Sequence, residues 1–432
     1  MNIKINTGFL IITVFFIEIT GLTAWTDHFY GTYYSLINVP EFKKQVTVES
    51  LESFLGKEAD KIALELDKIE EAYKKENPRY RERPEDLKFN PKDTKNLRVN
   101  FLRALRLNTD IKLALFVQEI PSKENLSKKS IPYQNITIFD EDEGLKKYIF
   151  SELKEGGKTT ALQVAASASD EPDYGLDIGL FEDSLDKTGN PSEMGKAYNL
   201  GKQAFGDPKF FYSSQAPLHM GFYHEPGIIY AAAGWVKDTF PDMRILQFAM
   251  LSKFAFATGH DYWGYRFMGW GMHYIGDLTQ PYHSTLTPGV GTTTKMIANL
   301  IPPWKNKIRD KMSDRHTAIE HYQFHIMRKA IADNPESEFL SAYSRFEKDK
   351  EYKDFSFSYI RDVLTKESNS KSDGLDDVLD DNEEVIKFKE GKGIELTVIE
   401  NEKVKKTNIY LLDLFSSFGS HTRNFAKFIL VK

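Results

Sequence analysis

The chain has 432 residues, with 41% hydrophobic and 28% charged side chains and a net charge of −6. This suits a soluble globular body with a sizeable core, and it supplies no overall basic footprint for a polyanion such as nucleic acid. There is no cysteine, so disulfides and thiolate metal sites are excluded, and any zinc must be held by histidine, carboxylate or backbone ligands.

Lys4 precedes an apolar run over residues 9–17, and small residues follow up to Thr23-Ala24. The pattern predicts a secretory signal peptide over residues 1–24 and an exported protein, periplasmic, envelope-bound or secreted. The run is short for a bilayer span. Cleavage after Ala24 makes Trp25 the new N-terminus. Val46, Leu51, Phe54, Leu55, Ile62, Leu64, Leu66 and Ile69 recur at helical steps and predict a helix within 46–76. Residues 77–98 read as a polar loop, and 100–117 as a second amphipathic helix. Residues 120–158 read as a surface excursion, within an insertion spanning about 75–165. Residues 165–220 are rich in Gly, Asp, Pro and Ser and suit ordered loops lining a site. Apolar helical patterning runs over 244–277 and again over 307–332. A C-terminal extension, 336–432, begins beyond the body at 25–335. It contains a highly charged stretch, 367–407, expected to be solvated, with a short hairpin around Gly391 and Gly393. A last apolar helix over 408–431 is expected to pack back on the body.

Histidines and carboxylates recur at informative spacings. His273 and Asp277 are four apart, so a helix places both on one face. Pro281 then bends the chain, and His283 can turn to the same side. His273 lies among Phe267, Met268, Trp270, Met272, Tyr274 and Ile275, a core-like setting in which a carboxylate needs a cation or donors. His316 and Glu320 repeat the spacing of four, and His321 with His325 forms a competing pair on the adjacent face; spacing does not separate them. His219 and His224 are alternatives in the segment around Phe222-Tyr223-His224-Glu225-Pro226, and Asp173 and Asp177 are alternatives near Glu171-Pro172-Asp173-Tyr174. Trp25-Thr26-Asp27-His28 would offer a free α-amino group, a carbonyl and an imidazole once the signal peptide is removed.

In this order the residues resemble the zinc-dependent phospholipase C family and its relatives, the zinc-dependent single-strand nucleases: an N-terminal Trp, a nearby His, an Asp, a His, an H-x-x-x-D element closed by P-x-H, then H-x-x-x-E. The resemblance implies an all-α, multi-helix fold with long loop insertions and a site for three zinc ions. Asp173, His224, His273 and Asp277 would hold one ion; His283, His316 and Glu320 a second; and Trp25 and His28, with Asp277 bridging, a third. His224 is preferred to His219, and Asp173 to Asp177, by likeness to the family's loops. The implied reaction is hydrolysis of a phosphate ester by water activated at zinc, with Asp173 catalytic and Tyr174, Phe222 and Tyr223 beside the substrate. Glu320 at the last position leans toward a phospholipase C acting on a phospholipid or membrane surface. A single-strand nuclease or 3'-nucleotidase with a nucleic acid substrate is the alternative, and a non-catalytic exported zinc-binding protein is the alternative of another class. No obligate protein partner is implied. The distances from His28 to Asp173 and from His283 to His316 exceed the family's, so the resemblance covers the site and its surroundings, not the whole chain.

Overall fold

The fold is all-α and is organised around one fully enclosed helix, Asp261–Thr279, in which every residue from Tyr262 to Thr279 is buried. A helix that is apolar and aromatic on all sides needs neighbours all round. The computed structural model describes residues 27–431 apart from 78, 123, 143, 384–385 and 387–401. The expected signal peptide over 1–24, its cleavage point, Trp25 and the hairpin around Gly391 and Gly393 lie outside the described residues. Among them, no helix is long and apolar enough to cross a membrane.

The helix Pro241–Ala257 precedes the central helix and packs along it. The two are separated by Thr258-Gly259-His260, where Gly259 has φ +84, a left-handed turn that glycine adopts without penalty. The helix Leu51–Glu76 is capped by Ser50, whose side chain accepts from the amide of Ser53, and buries one stripe from Leu51 to Tyr73. The helix Ala161–Ala168 starts at a capping box formed by Thr160 and Gln163. It crosses the central helix so closely that a Cβ at Gly269 would lie 2.4 Å from the Ala165 carbonyl oxygen. The helix His28–Leu36 meets the central helix at Gly276, where a Cβ would stand 2.8 Å from the His28 ring. The helix Lys405–Leu430 covers this junction: it packs on the central helix and on His28–Leu36, and Arg423 donates to the carbonyls of Ser35 and Tyr343. One hydrophobic cluster therefore runs from Leu36 to Ile429, and a second joins Phe29 and Tyr30 to Ile319, Tyr322 and Phe418.

Two expectations fail, one for a local and one for a tertiary reason. The helix expected over 100–117 is Leu97–Ala104 only. Asn108 captures the amide of Asp110 with its side chain, Arg106 and Leu113 take left-handed φ of 51 and 48, and residues 116–118 become a strand paired with 150–152. Short polar side chains that bond the backbone compete with helix in this way. The charged stretch expected to be solvated is partly packed. In the helix Ser372–Asp380, Leu375, Asp376 and Leu379 are buried, and Asp376 pairs with Arg315 at 2.6 Å and accepts from the Tyr282 hydroxyl at 2.8 Å.

Candidate metal centre

The central helix delivers His273 and Asp277 from one face, as a spacing of four requires, and both are fully buried. The chain then leaves the helix at Gln280, and the short turn Pro281–Ser284 carries His283 inward. Facing it, the Gly221 amide donates to the His283 carbonyl at 2.8 Å, and His283 Nδ1 donates to the His219 carbonyl at 3.0 Å. This reciprocal pairing fixes which histidine of the 219–224 segment enters the site. His219 does. His224 lies five residues on, beyond the pairing, and its Nε2 is 2.9 Å from the Arg361 carbonyl and 3.1 Å from Thr365 Oγ1. The expected ligand His224 is thus outside the cluster, and His219 takes its place.

Three groups of ligating atoms converge: His28, His273 and Asp277; Asp173, His219 and His273; and His283, His316 and Glu320. Asp277 stands between the first two. Its Oδ1 is 3.0 Å from His28 Nε2, and its Oδ2 is 3.0 Å from His219 Nδ1 and 3.3 Å from His273 Nε2. Asp173 Oδ1 lies 3.9 Å and 3.7 Å from the same two nitrogens of His219 and His273. In the third group His283 Nε2 is 2.9 Å from His316 Nε2, which is 2.6 Å from Glu320 Oε1. His321 and His325 belong to none of these groups.

The outer partners fix the protons. His273 Nδ1 lies 2.8 Å from the Ser169 carbonyl, and a carbonyl only accepts, so in the neutral ring Nε2 presents a lone pair. The same reasoning on the His219 carbonyl leaves a lone pair on His283 Nε2. His219 Nε2 faces Asp177 Oδ2 at 3.2 Å, which leaves the His219 lone pair on Nδ1. Asp177 is itself held by Arg244 at 2.6 Å and by the Tyr274 hydroxyl at 2.6 Å. An outer carboxylate orienting an imidazole is the usual support for a metal ligand.

Lone pairs and carboxylates facing one another need a positive species between them. Protons meet part of that need. Burial disfavours charge on His219, but Asp277 and Asp177 outweigh it and raise its pKa to about 10. Burial holds His28 down to about 3, aided by His273, and burial lowers His316 to about 3. Burial raises Glu320 to about 8 and Asp173 to about 6, the latter moderated by His273 and His219. Yet neither oxygen of Asp277, neither nitrogen of His28, nor Asp173 Oδ1 makes a well-directed hydrogen bond, although all are buried. A proton satisfies one donor–acceptor line, whereas a cation satisfies several converging ligands at once. The nitrogen-and-carboxylate set suits zinc, which binds histidine and carboxylate at tetrahedral sites.

The remaining expected residues are placed as follows. Tyr174 is buried, and its hydroxyl donates to Gln118 Oε1 at 2.8 Å. Phe222 is buried against the Phe205 ring, 5.3 Å away between centroids. Tyr223 is covered by the Arg361 guanidinium at 4.7 Å. Tyr174 and Phe222 therefore offer no face to a substrate. Sequence reasoning missed the outer partners Ser169, Asp177 in that role, Arg244 and Tyr274; no spacing rule links Asp177 to Arg244.

No family model matches the chain, and no curated protein matches it. Among solved structures it is similar to the Clostridium perfringens alpha-toxin of an avian strain, with 11% identity and a TM-score of 0.25, over 62% of this chain and 54% of that one. The chain thus spans about half the length of that protein.

Proposed function

We propose that the chain is an exported zinc-dependent phosphoric ester hydrolase of the phospholipase C kind, and that its substrate is a phospholipid. The observation that supports this reading is the convergence of buried ring nitrogens with lone pairs, and of carboxylates without hydrogen bonds, on two adjoining sites. His273, His219, Asp277 and Asp173 would hold one zinc, and His283, His316 and Glu320 another. A third would lie between His28, Asp277 and the amino group of Trp25. Zinc, when bound, lowers the pKa of water toward about 7 and neutralises charge on a phosphoryl group.

The chain's own groups complete the chemistry. Ser169, Asp177 and the His219 carbonyl hold three imidazoles in the tautomers that aim lone pairs inward. Asp173 has the most accessible side chain of the first two groups, 11% exposed against 0–5% for His28, His219, His273 and Asp277. Its Oδ1 makes no well-directed hydrogen bond, so it is the ligand oxygen placed to orient an incoming water. Burial of the rest excludes water from their ligating atoms.

The test is a paired assay of the processed protein on phosphatidylcholine vesicles and on single-stranded DNA, with zinc content measured in parallel. Diacylglycerol release that a chelator abolishes and zinc restores is expected. Cleavage of DNA alone would move the assignment to the nuclease alternative, and full zinc content with neither activity would make the site structural.

A further inference from the structure

The segment that joins His283 to His316 carries an unusual surface. Among the described residues, four exposed large apolar side chains fall between positions 297 and 304: Ile297 is 46% exposed, Leu300 69%, Ile301 44% and Trp304 39%. Scattered exposed apolar residues are ordinary, but a contiguous group marks a contact surface. The segment is anchored to the site's loops: Glu225 accepts from the Leu286 amide at 2.8 Å and pairs with Lys295 at 3.4 Å.

Charge distinguishes the partner. Between Asp277 and Asp310 the sequence has no acidic residue, and Lys305 and Lys307 stand directly after the apolar group; the other two cations of the segment are paired, Lys295 with Glu225 and Arg309 with Asp310. An apolar crest with an interfacial Trp and a basic border fits the headgroup region of an anionic bilayer. Trp304 and His316 share the helix Pro302–Asp333, so about 18 Å of helix axis separates them at 1.5 Å per residue.

We propose that Ile297, Leu300, Ile301 and Trp304 form a docking face that seats in the interface of an anionic phospholipid bilayer and presents that bilayer to the site. This inference rests on the phospholipid reading of the metal centre.

The test compares the full zinc-loaded protein with the quadruple variant Ile297→Ser, Leu300→Ser, Ile301→Ser, Trp304→Ser. Co-sedimentation is measured with phosphatidylcholine vesicles containing phosphatidylglycerol. Hydrolysis is measured on those vesicles and on a water-soluble phosphodiester. The variant should bind vesicles less tightly by on the order of 100-fold or more, as expected for withdrawing four such side chains from the interface, and should keep its rate on the soluble diester and its circular dichroism. Trp304→Phe should remove a blue shift of tryptophan emission that the wild type shows on vesicles. Equal vesicle binding by wild type and variant, or no binding by either, overturns the docking face. A wild-type dimer that becomes a monomer in the variant assigns the surface to a second copy and overturns it too. Vesicle binding lost in the variant, without hydrolysis of either substrate by the wild type, overturns the phospholipase reading and leaves the docking face standing.

Discussion

Replacing Asp177 by Asn probes the tautomer argument directly. Asp177 receives Arg244 on Oδ1 and both Tyr274 and His219 on Oδ2, and Asn has one oxygen to offer. If that oxygen faces Arg244, the amide NH2 faces His219 Nε2 and drives the proton to Nδ1, the atom that points at Asp277 and His273. If it faces His219, the NH2 abuts the Arg244 guanidinium. Breaking a buried ion pair costs about 3–5 kcal/mol. Arg244 keeps the Leu105 and Arg106 carbonyls and Gln247 as acceptors, which places the loss at about 3 kcal/mol. Burial opposes ionisation of Asp177, but Arg244 overrides it and holds its pKa near 2. The pair's stabilisation is therefore complete above the unfolded carboxyl's value of about 3.9 and lost only as pH falls toward 2, so the deficit should be constant between pH 5 and 8. Loss of an outer partner weakens metal affinity by about 10–100-fold. Competition titration of the chelated protein with zinc and an indicator should show that loss in one class of sites, with the His283 group unaffected. Unchanged affinity in every class, alongside lowered stability, would refute the tautomer reasoning and leave Asp177 a purely structural partner of Arg244.

Four other outcomes are expected. His219→Ala should lose about one zinc equivalent by elemental analysis, whereas His224→Ala, which gives up only contacts to Arg361 and Thr365, should retain all of it. His316→Ala should lose zinc and activity together while His321→Ala keeps both; the reverse would put the ligands on the wrong face of their helix. Glu320 is pushed up to about 8 by burial, so in the metal-free protein its neutral form contributes stability that is complete below about 4.5 and lost as pH rises through 8. Zinc must displace that proton and the one that Asp277 and Asp177 hold on His219, so calorimetry at pH 7 in buffers of different ionisation heat should show at least two protons released, and affinity at the His283 group should fall as pH drops below 8. An extra residue ahead of Trp25 turns its amine into an amide, and should lower zinc content by about one equivalent relative to protein beginning at Trp25.

The parts of the centre legible in the sequence are those fixed by one helix. His273 with Asp277, and His316 with Glu320, share a face whatever the tertiary setting, because 3.6 residues make a turn. The contest between His219 and His224 was settled by the bonds of the Gly221 amide and the His219 carbonyl to the backbone and ring of His283, which leave no mark in side-chain spacing. Asp177 could be listed near the site, but its place behind His219 depends on Arg244, 67 positions away. The helix expected over 100–117 failed because Asn108 offered the backbone a turn, and the acidic run near 376 read as solvated because Arg315 and Tyr282, its buried partners, are distant in sequence.

The packing of the helix Lys405–Leu430 has a consequence for the order in which the protein is made. Phe418 lies against Gly31 and Gly276, beside the His28 ring, so the wall behind the first group of ligands comes from residues synthesised long after His28, His273 and even His316. Contacts spanning nearly four hundred positions form late, because the chain loses loop entropy before they return any stabilisation. The centre is therefore assembled only near the end of folding, and an unfolded chain has ligands but no cage. Metal acquisition then becomes a late step of folding, one that an unfolded chain does not begin.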